Sequence, residues 1–164
     1  EMVLASSATA AGVASLVRTA LQSRKAFVEE CHSEGTDAYR LFHGAVEGLP
    51  GVTLDRYGDL LLWQTFRDNQ KAVSNVEDEL LPMLHDLVSE ELGITSLQAH
   101  WTDRRRGART ARPAGAGTAI LAPDHKALEL GLRYHIEVPA SGRDPLLYLD
   151  FRAARRWLSS NCQG

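Results

Sequence analysis

An α+β fold, built on a mixed or antiparallel sheet with two main helices, is predicted by three observations. These are an apolar stripe at helical spacing near the start, two alternating extended runs that meet at a glycine, and a second helical stripe closed by a glycine. The chain has 164 residues, 44% hydrophobic and 24% charged, enough for one ordinary domain with a real core. No apolar run reaches the roughly 20 residues of a membrane span. The opening EMVLASSATAAG lacks the basic start and long apolar core of a secretion signal, so a soluble protein is expected.

Val13, Leu16, Val17, Ala20, Leu21 and Phe27 lie on one side of a helical wheel, which predicts a single amphipathic helix over Val13 to Glu30. Gly35 supplies the left-handed turn after it. Gly44, Gly48, Pro50 and Gly51 mark a loop, their glycines allowing a sharp turn into a strand. Val52, Leu54 and Arg56 then alternate with Thr53, Asp55 and Tyr57, and LLLWQTF follows Gly58 and Asp59, the pattern of a β-hairpin. Ser74 and Glu77 have capping-box spacing, and Val76, Leu80, Leu84, Leu87, Val88 and Leu92 continue a helix to Gly93. Pro82 is expected to kink that helix or to mark a restart. ITSLQAHW has strand character, and TDRRRGARTARPAGAG has the composition of a mobile loop. TAILAPDHKALELGLRYHIEV predicts short strands turning at Gly131, and Leu149, Ala153 and Trp157 recur at the spacing of a closing helix.

The chemistry is concentrated in one place. Arg104, Arg105, Arg106, Arg109 and Arg112 share a stretch with a single acid, Asp103, in a chain whose formal net charge is -3. Beside Trp101 they predict a local positive field that grips phosphates by paired hydrogen bonds, against the alternative of a solvated loop. Cys31 and Cys162 stand far apart without a CxxC partner, which argues against a disulfide framework or a zinc site and for a reducing, cytoplasmic compartment. Neither is expected to be a nucleophile. The six histidines have no metal-ligand spacing, no GxSxG elbow supports a hydrolase, and GAVEGLPG lacks the Lys-Ser/Thr pair of a phosphate loop.

Two stretches resemble a known family. TDAYRLFHGAVEGLPGVTLDRYGDLLLWQ, from Thr36 to Gln64, is similar to the segment preceding the catalytic domain in bacterial large-subunit ribosomal RNA methyltransferases of the cytosine-5 type and their relatives. The matching positions are Ala38 to Leu41, Gly48 to Gly51 and Asp55 to Gly58. LGLRYHIEVPASGRDPLLYLDFRAARRWL resembles the family's hairpin and the motif that enters its class I S-adenosylmethionine domain, on Asp144, Leu147, Tyr148, Leu149, Asp150, Arg152 and Arg155. Pro145 and Leu146 stand where the family has Thr and Gly.

The resemblance implies three parts. Residues 1–124 form the RNA-facing α+β domain, 125–143 a connecting hairpin, and 144–164 the start of a truncated Rossmann-like catalytic domain. It implies S-adenosyl-L-methionine as the cofactor of the full-length protein, with Tyr148, Asp150 and Arg152 at the edge of its pocket. Should these be purely structural, Tyr148 packs and Asp150 pairs with Arg152 or Arg155. Ribosomal RNA is the implied partner, a homodimer is admitted, and no residue of this chain receives a catalytic role. Cytosine-5 and guanine-N7 branches both fit. The competing expectation is a stand-alone RNA-binding or protein-interaction module.

Overall fold

A computed structural model describes residues 9–66, 76–104, 111–113, 125–137 and 145–162, with the backbone alone at Glu77, Asp103 and 111–113. Helices α1 (Ala10–Ser23) and α2 (Lys25–Ser33) precede strands β1 (Ala38–His43), β2 (Val52–Tyr57) and β3 (Leu60–Thr65). Helix α3 (Glu77–Leu92) leads to β4 (Gln98–Asp103) and β5 (Ala111–Pro113). The hairpin β6 (Lys126–Glu129) and β7 (Leu132–His135), a 3-10 turn (Leu149–Phe151) and helix α4 (Arg152–Asn161) complete the order.

Five strands form a sheet in the sequential order β1-β2-β3-β4-β5. Its pairs are antiparallel except β3 with β4, because α3 carries the chain back across the sheet between them. The mixed sheet and the two helical regions are thus as the sequence predicts. Val13, Val17, Ala20 and Leu21 of α1, with Leu80, Leu84 and Val88 of α3, pack on Leu54, Leu61, Trp63 and Trp101 of the sheet. Phe42 stacks on Trp63 within this core, their ring centroids 6.1 Å apart.

The first helical region is not one helix. It breaks at Arg24, whose backbone leaves helical geometry while its N–H donates to Ala20 and Leu21, and whose guanidinium pairs with Glu47. The continuous apolar stripe concealed this because both helices bury residues on the same sheet. Pro82 does not mark a restart: it lies inside α3, which runs unbroken from Glu77 to the left-handed Gly93. Ser74 lies outside the described residues, and the helix starts from Val76 without a side-chain cap. A strand unforeseen in the sequence, β1, bulges between Arg40 and Phe42, which disguises its alternation. The arginine-rich segment contributes more strand than its composition predicts: Thr102 and Asp103 end β4, and residues 111–113 form β5.

The hairpin turning at Gly58 is as predicted, and Gly58 is required twice over. Its φ is 60°, and a Cβ there would meet the Lys126 carbonyl at 2.6 Å. That close approach brings β6 and β7 against the sheet. The Asp37 N–H donates to the Leu128 carbonyl at 3.0 Å, and the Leu128 N–H returns to the Asp37 carboxylate at 2.6 Å. A second small core of Ala38, Tyr57, Leu60, Leu62, Ala127, Ile136 and Leu147 fills the junction.

Candidate functional site: a cleft on the polar face of the sheet

Opposite the helices, the sheet carries polar side chains. Cross-strand register places His43, Thr53, Gln64 and Thr102 in one row over β1 to β4. The adjacent row holds Arg40, Asp55, Leu62 and His100. Arg40 donates to Asp55 through Nε at 2.7 Å and Nη2 at 3.0 Å, a forked pair that raises the arginine pKa and anchors a carboxylate only 1% exposed. His100 is held neutral, its pKa lowered by burial and then by the nearby His125.

This face forms the floor of a cleft of about 720 Å³. Its walls come from three separate parts of the chain: Arg24 and Phe27 at the α1–α2 break, Gln64, Phe66 and Arg104 at the ends of β3 and β4, and Leu147 to Asp150 with Arg152 at the start of α4. Four arginines face two aspartates in this lining, so the cleft is net basic within an acidic chain. Three of its four aromatic residues are open, with Phe27 41%, Phe66 39% and Tyr148 53% exposed, while Tyr57 is buried. The Arg104 guanidinium lies 5.2 Å from the Phe66 ring centre, and that of Arg152 lies 5.8 Å from Phe27. Flat π-faces beside guanidinium groups suit an unstacked base and its phosphate.

The start of α4 is fastened by a buried carboxylate. Glu129 on β6, 1% exposed, accepts from Arg152 Nε at 3.0 Å and from Arg155 Nη2 at 3.0 Å, and Arg155 Nε adds a further contact. Burial alone would push this carboxyl up, but the hydrogen bonds and charges of Arg155 and Arg152 bring it below the ordinary carboxylate value. Arg155 also donates to the Tyr148 carbonyl at 2.7 Å, and Arg152 reaches Cys31 Sγ at 3.4 Å and the Ala38 carbonyl. The cluster therefore fixes the backbone beneath Tyr148. Leu146 adopts a φ of 69°, a left-handed conformation that a leucine takes only with strain.

Of the residues singled out in the sequence, the fold brings Arg104, Tyr148, Asp150 and Arg152 into this one cleft. Arg105, Arg106 and Arg109 lie outside the described residues, and the backbone of Arg112 pairs opposite Trp101. Trp101 does not stand beside Arg104. It is buried in the helix-side core, its Nε1 donating to Thr65 Oγ1 at 3.3 Å, and Phe66 takes its place beside Arg104. Asp150 is not the acid that holds Arg152 and Arg155; Glu129 is. Sequence reasoning passed over Glu129, although an acid two positions from inward-facing Ala127 was a usable signal. Phe27, read as part of an apolar helix face, opens to the cleft because the break at Arg24 turns α2.

Fold and cleft together define an α+β domain with one apolar sheet face and one basic, aromatic-lined face. No family model matches the chain. A segment of 31 residues, 19% of the chain and 8% of the relative, is 55% identical to the Ribosomal RNA large subunit methyltransferase I of Cronobacter sakazakii. Among solved structures, SMU.776, a proposed methyltransferase complexed with SAH, is similar at TM-score 0.68 and 24% identity, over 96% of this chain and 36% of that one. A proposed SAM-dependent methyltransferase from Streptococcus mutans gives 0.66 and 23%, with the same coverage. The chain thus has the fold of a part of those proteins and spans 36% of their length.

Proposed function

We propose that this chain is the substrate-facing portion of an S-adenosylmethionine-dependent RNA methyltransferase, with ribosomal RNA as its substrate. The observation that carries the reading is the convergence of Arg104 with Tyr148 and Asp150 in one basic, aromatic-lined cleft, although Arg104 follows β4 while Tyr148 and Asp150 stand at the start of the last helix. The names of the similar proteins support the same activity. In this reading Arg104, with Arg105, Arg106, Arg109 and Arg112 of the same segment, holds phosphates, while Phe27 and Phe66 stack bases. Residues 1–124 and 125–143 then serve as RNA-facing domain and connecting hairpin, and 144–164 opens the cofactor-binding domain.

S-adenosylmethionine supplies an activated methyl group when bound. The residues at the start of α4 fit one edge of such a ligand: Tyr148 offers an exposed ring and Asp150 an exposed carboxylate suited to a hydroxyl or ammonium group. Arg152 is committed to Glu129 and the Ala38 carbonyl, so its part is to hold Tyr148 and Asp150 in place. Helix α4 buries none of its residues, and Trp157 at 62% and Leu158 at 49% exposure form the surface on which we place the catalytic sheet.

The test is a salt titration of single-stranded RNA binding by the full-length protein. Arg104→Ala is expected to weaken binding to every sequence alike and to lower the salt slope by about 1. An unchanged affinity and slope would remove the cleft from RNA recognition.

A further inference from the structure

The row His43, Thr53, Gln64 and Thr102 has a property that packing does not explain. Among the described residues, His43 Nδ1, Thr53 Oγ1, Gln64 Nε2 and Thr102 Oγ1 are all buried and all lack a hydrogen-bond partner. Among the described residues three further side-chain atoms share that condition, Trp63 Nε1, Ser89 Oγ and Gln98 Oε1, and these do not form a row. The thr–gln–thr part of the row is deeply set, with Thr53 6%, Gln64 3% and Thr102 0% exposed. Buried polar groups in native proteins are nearly always bonded, so four neighbours left unbonded in register mark a place prepared for a partner. Gln64 lies in the cleft wall, between Phe66 and the Arg40–Asp55 pair, and is the member of the row that a ligand in the cleft meets first.

We infer that Gln64 reads the hydrogen-bonding edge of an unstacked nucleobase in the cleft, its Nε2 donating to a base carbonyl, with the hydroxyls of Thr53 and Thr102 behind it. The side chains of Thr53, Gln64 and Thr102 are uncharged donors and acceptors, which suits a heterocycle edge that alternates donors with acceptors and not a phosphate. Phosphate belongs on the arginine rim. Phe66, two residues on from Gln64 and lining the same cleft, offers the base a stacking face. A site built to hydrogen-bond a carbonyl rejects a base that lacks one, because its own buried donor then stays unpaired. Adenine is the base without a carbonyl. This inference rests on the RNA reading given above and adds the base-selecting residue to it.

Short single-stranded RNAs of each base, titrated against the full-length protein and its variants, test it. Wild-type protein is expected to bind the adenine oligomer roughly five- to tenfold more weakly than the uracil and cytosine oligomers, the discrimination of one directed hydrogen bond. Gln64→Leu should abolish that difference with the salt slope unchanged, and Gln64→Glu, which exchanges the donor for an acceptor, should turn the preference toward adenine. Thr102→Val gives the same test without altering the cleft wall: the thermal midpoint should hold or rise while the difference between oligomers narrows. Equal base preference in wild type and in a folded Gln64→Leu protein would overturn the inference while leaving RNA binding intact. Absence of wild-type RNA binding would overturn both this inference and the function on which it rests.

Discussion

The two faces of the five-stranded sheet solve opposite problems. On the helix side, Leu54, Leu61, Trp63 and Trp101 meet α1 and α3 in a continuous apolar core, and the buried charge there, Arg56, is satisfied by the Tyr39 hydroxyl at 2.6 Å and the Gly58 carbonyl at 2.8 Å. On the other side the same strands present Arg40, Asp55, Gln64, His100 and Thr102, covered in part by a hairpin that is tied on through Glu129. On the helix side of the sheet Trp63 Nε1 is buried without a partner, whereas on the other side His43, Thr53, Gln64 and Thr102 keep unmet hydrogen-bonding capacity in one row. Stability is invested where helices pack, and binding capacity where they are absent.

The largest effect is expected where the polar side borrows the logic of a core. Glu129→Ala leaves Arg152 and Arg155 facing each other without their shared carboxylate, and should destabilise the protein by about 3–5 kcal/mol in denaturant unfolding. A loss below about 1 kcal/mol would show that the hairpin is held by its backbone hydrogen bonds and the small core alone.

Next comes a matched pair that sets one face against the other. Leu84→Ala, at a fully buried position of α3, should cost about 2–5 kcal/mol, whereas Thr102→Val should cost nothing and gain up to about 1 kcal/mol. If Thr102→Val proves as damaging as Leu84→Ala, the polar face is a satisfied core and the distinction between the faces collapses.

Acid should act first through two histidines, His100 on the polar face and His32 beside Tyr39 and Arg56 on the helix side. The pKa of His100 is lowered by burial and His125, and that of His32 by burial and Arg56, so both bind protons less readily when folded than when unfolded. Stability is therefore complete above the unfolded histidine value, about 6.5, and declines as pH falls below it. Glu129, whose folded pKa is lowered, adds its own loss only further down, starting as pH falls through the ordinary carboxylate value and continuing to the lowered folded one. Thermal midpoints measured from pH 8 to pH 5 should decline first in the histidine window, and His100→Gln should flatten part of that decline.

The smallest effect concerns the turn that carries the hairpin. Leu130 and Gly131 have φ of 52° and 75°, a pair of left-handed residues of the kind that Asn-Gly makes without strain. Leu130→Asn should raise stability by about 0.5–1 kcal/mol and leave RNA binding unchanged.

Local sequence patterns captured α3, the hairpins turning at Gly58 and Gly131, and the helix beginning at Arg152, because each has a period and a terminating residue of its own. They did not capture β1, since the bulge at Leu41 shifts its alternation, nor the break at Arg24, which an uninterrupted apolar stripe hides. The site divides in the same way. Arg104, Tyr148 and Asp150 were visible through charge density and motif, yet nothing in either motif places them together. Gln64 and Thr102 were invisible, because a glutamine and a threonine in β-strands are ordinary until the register puts them side by side and leaves their polar atoms unpaired.

By itself, then, the sequence determined the class of fold, the strand and helix identities with strong periodicity, and the kinds of residue available for binding. Tertiary structure alone decided that the break at Arg24, the ends of β3 and β4 and the start of α4 enclose one cleft. The physical reason is that periodicity and capping act over a few residues, whereas the parallel β3–β4 pairing and the Glu129 ion cluster join positions far apart in the chain.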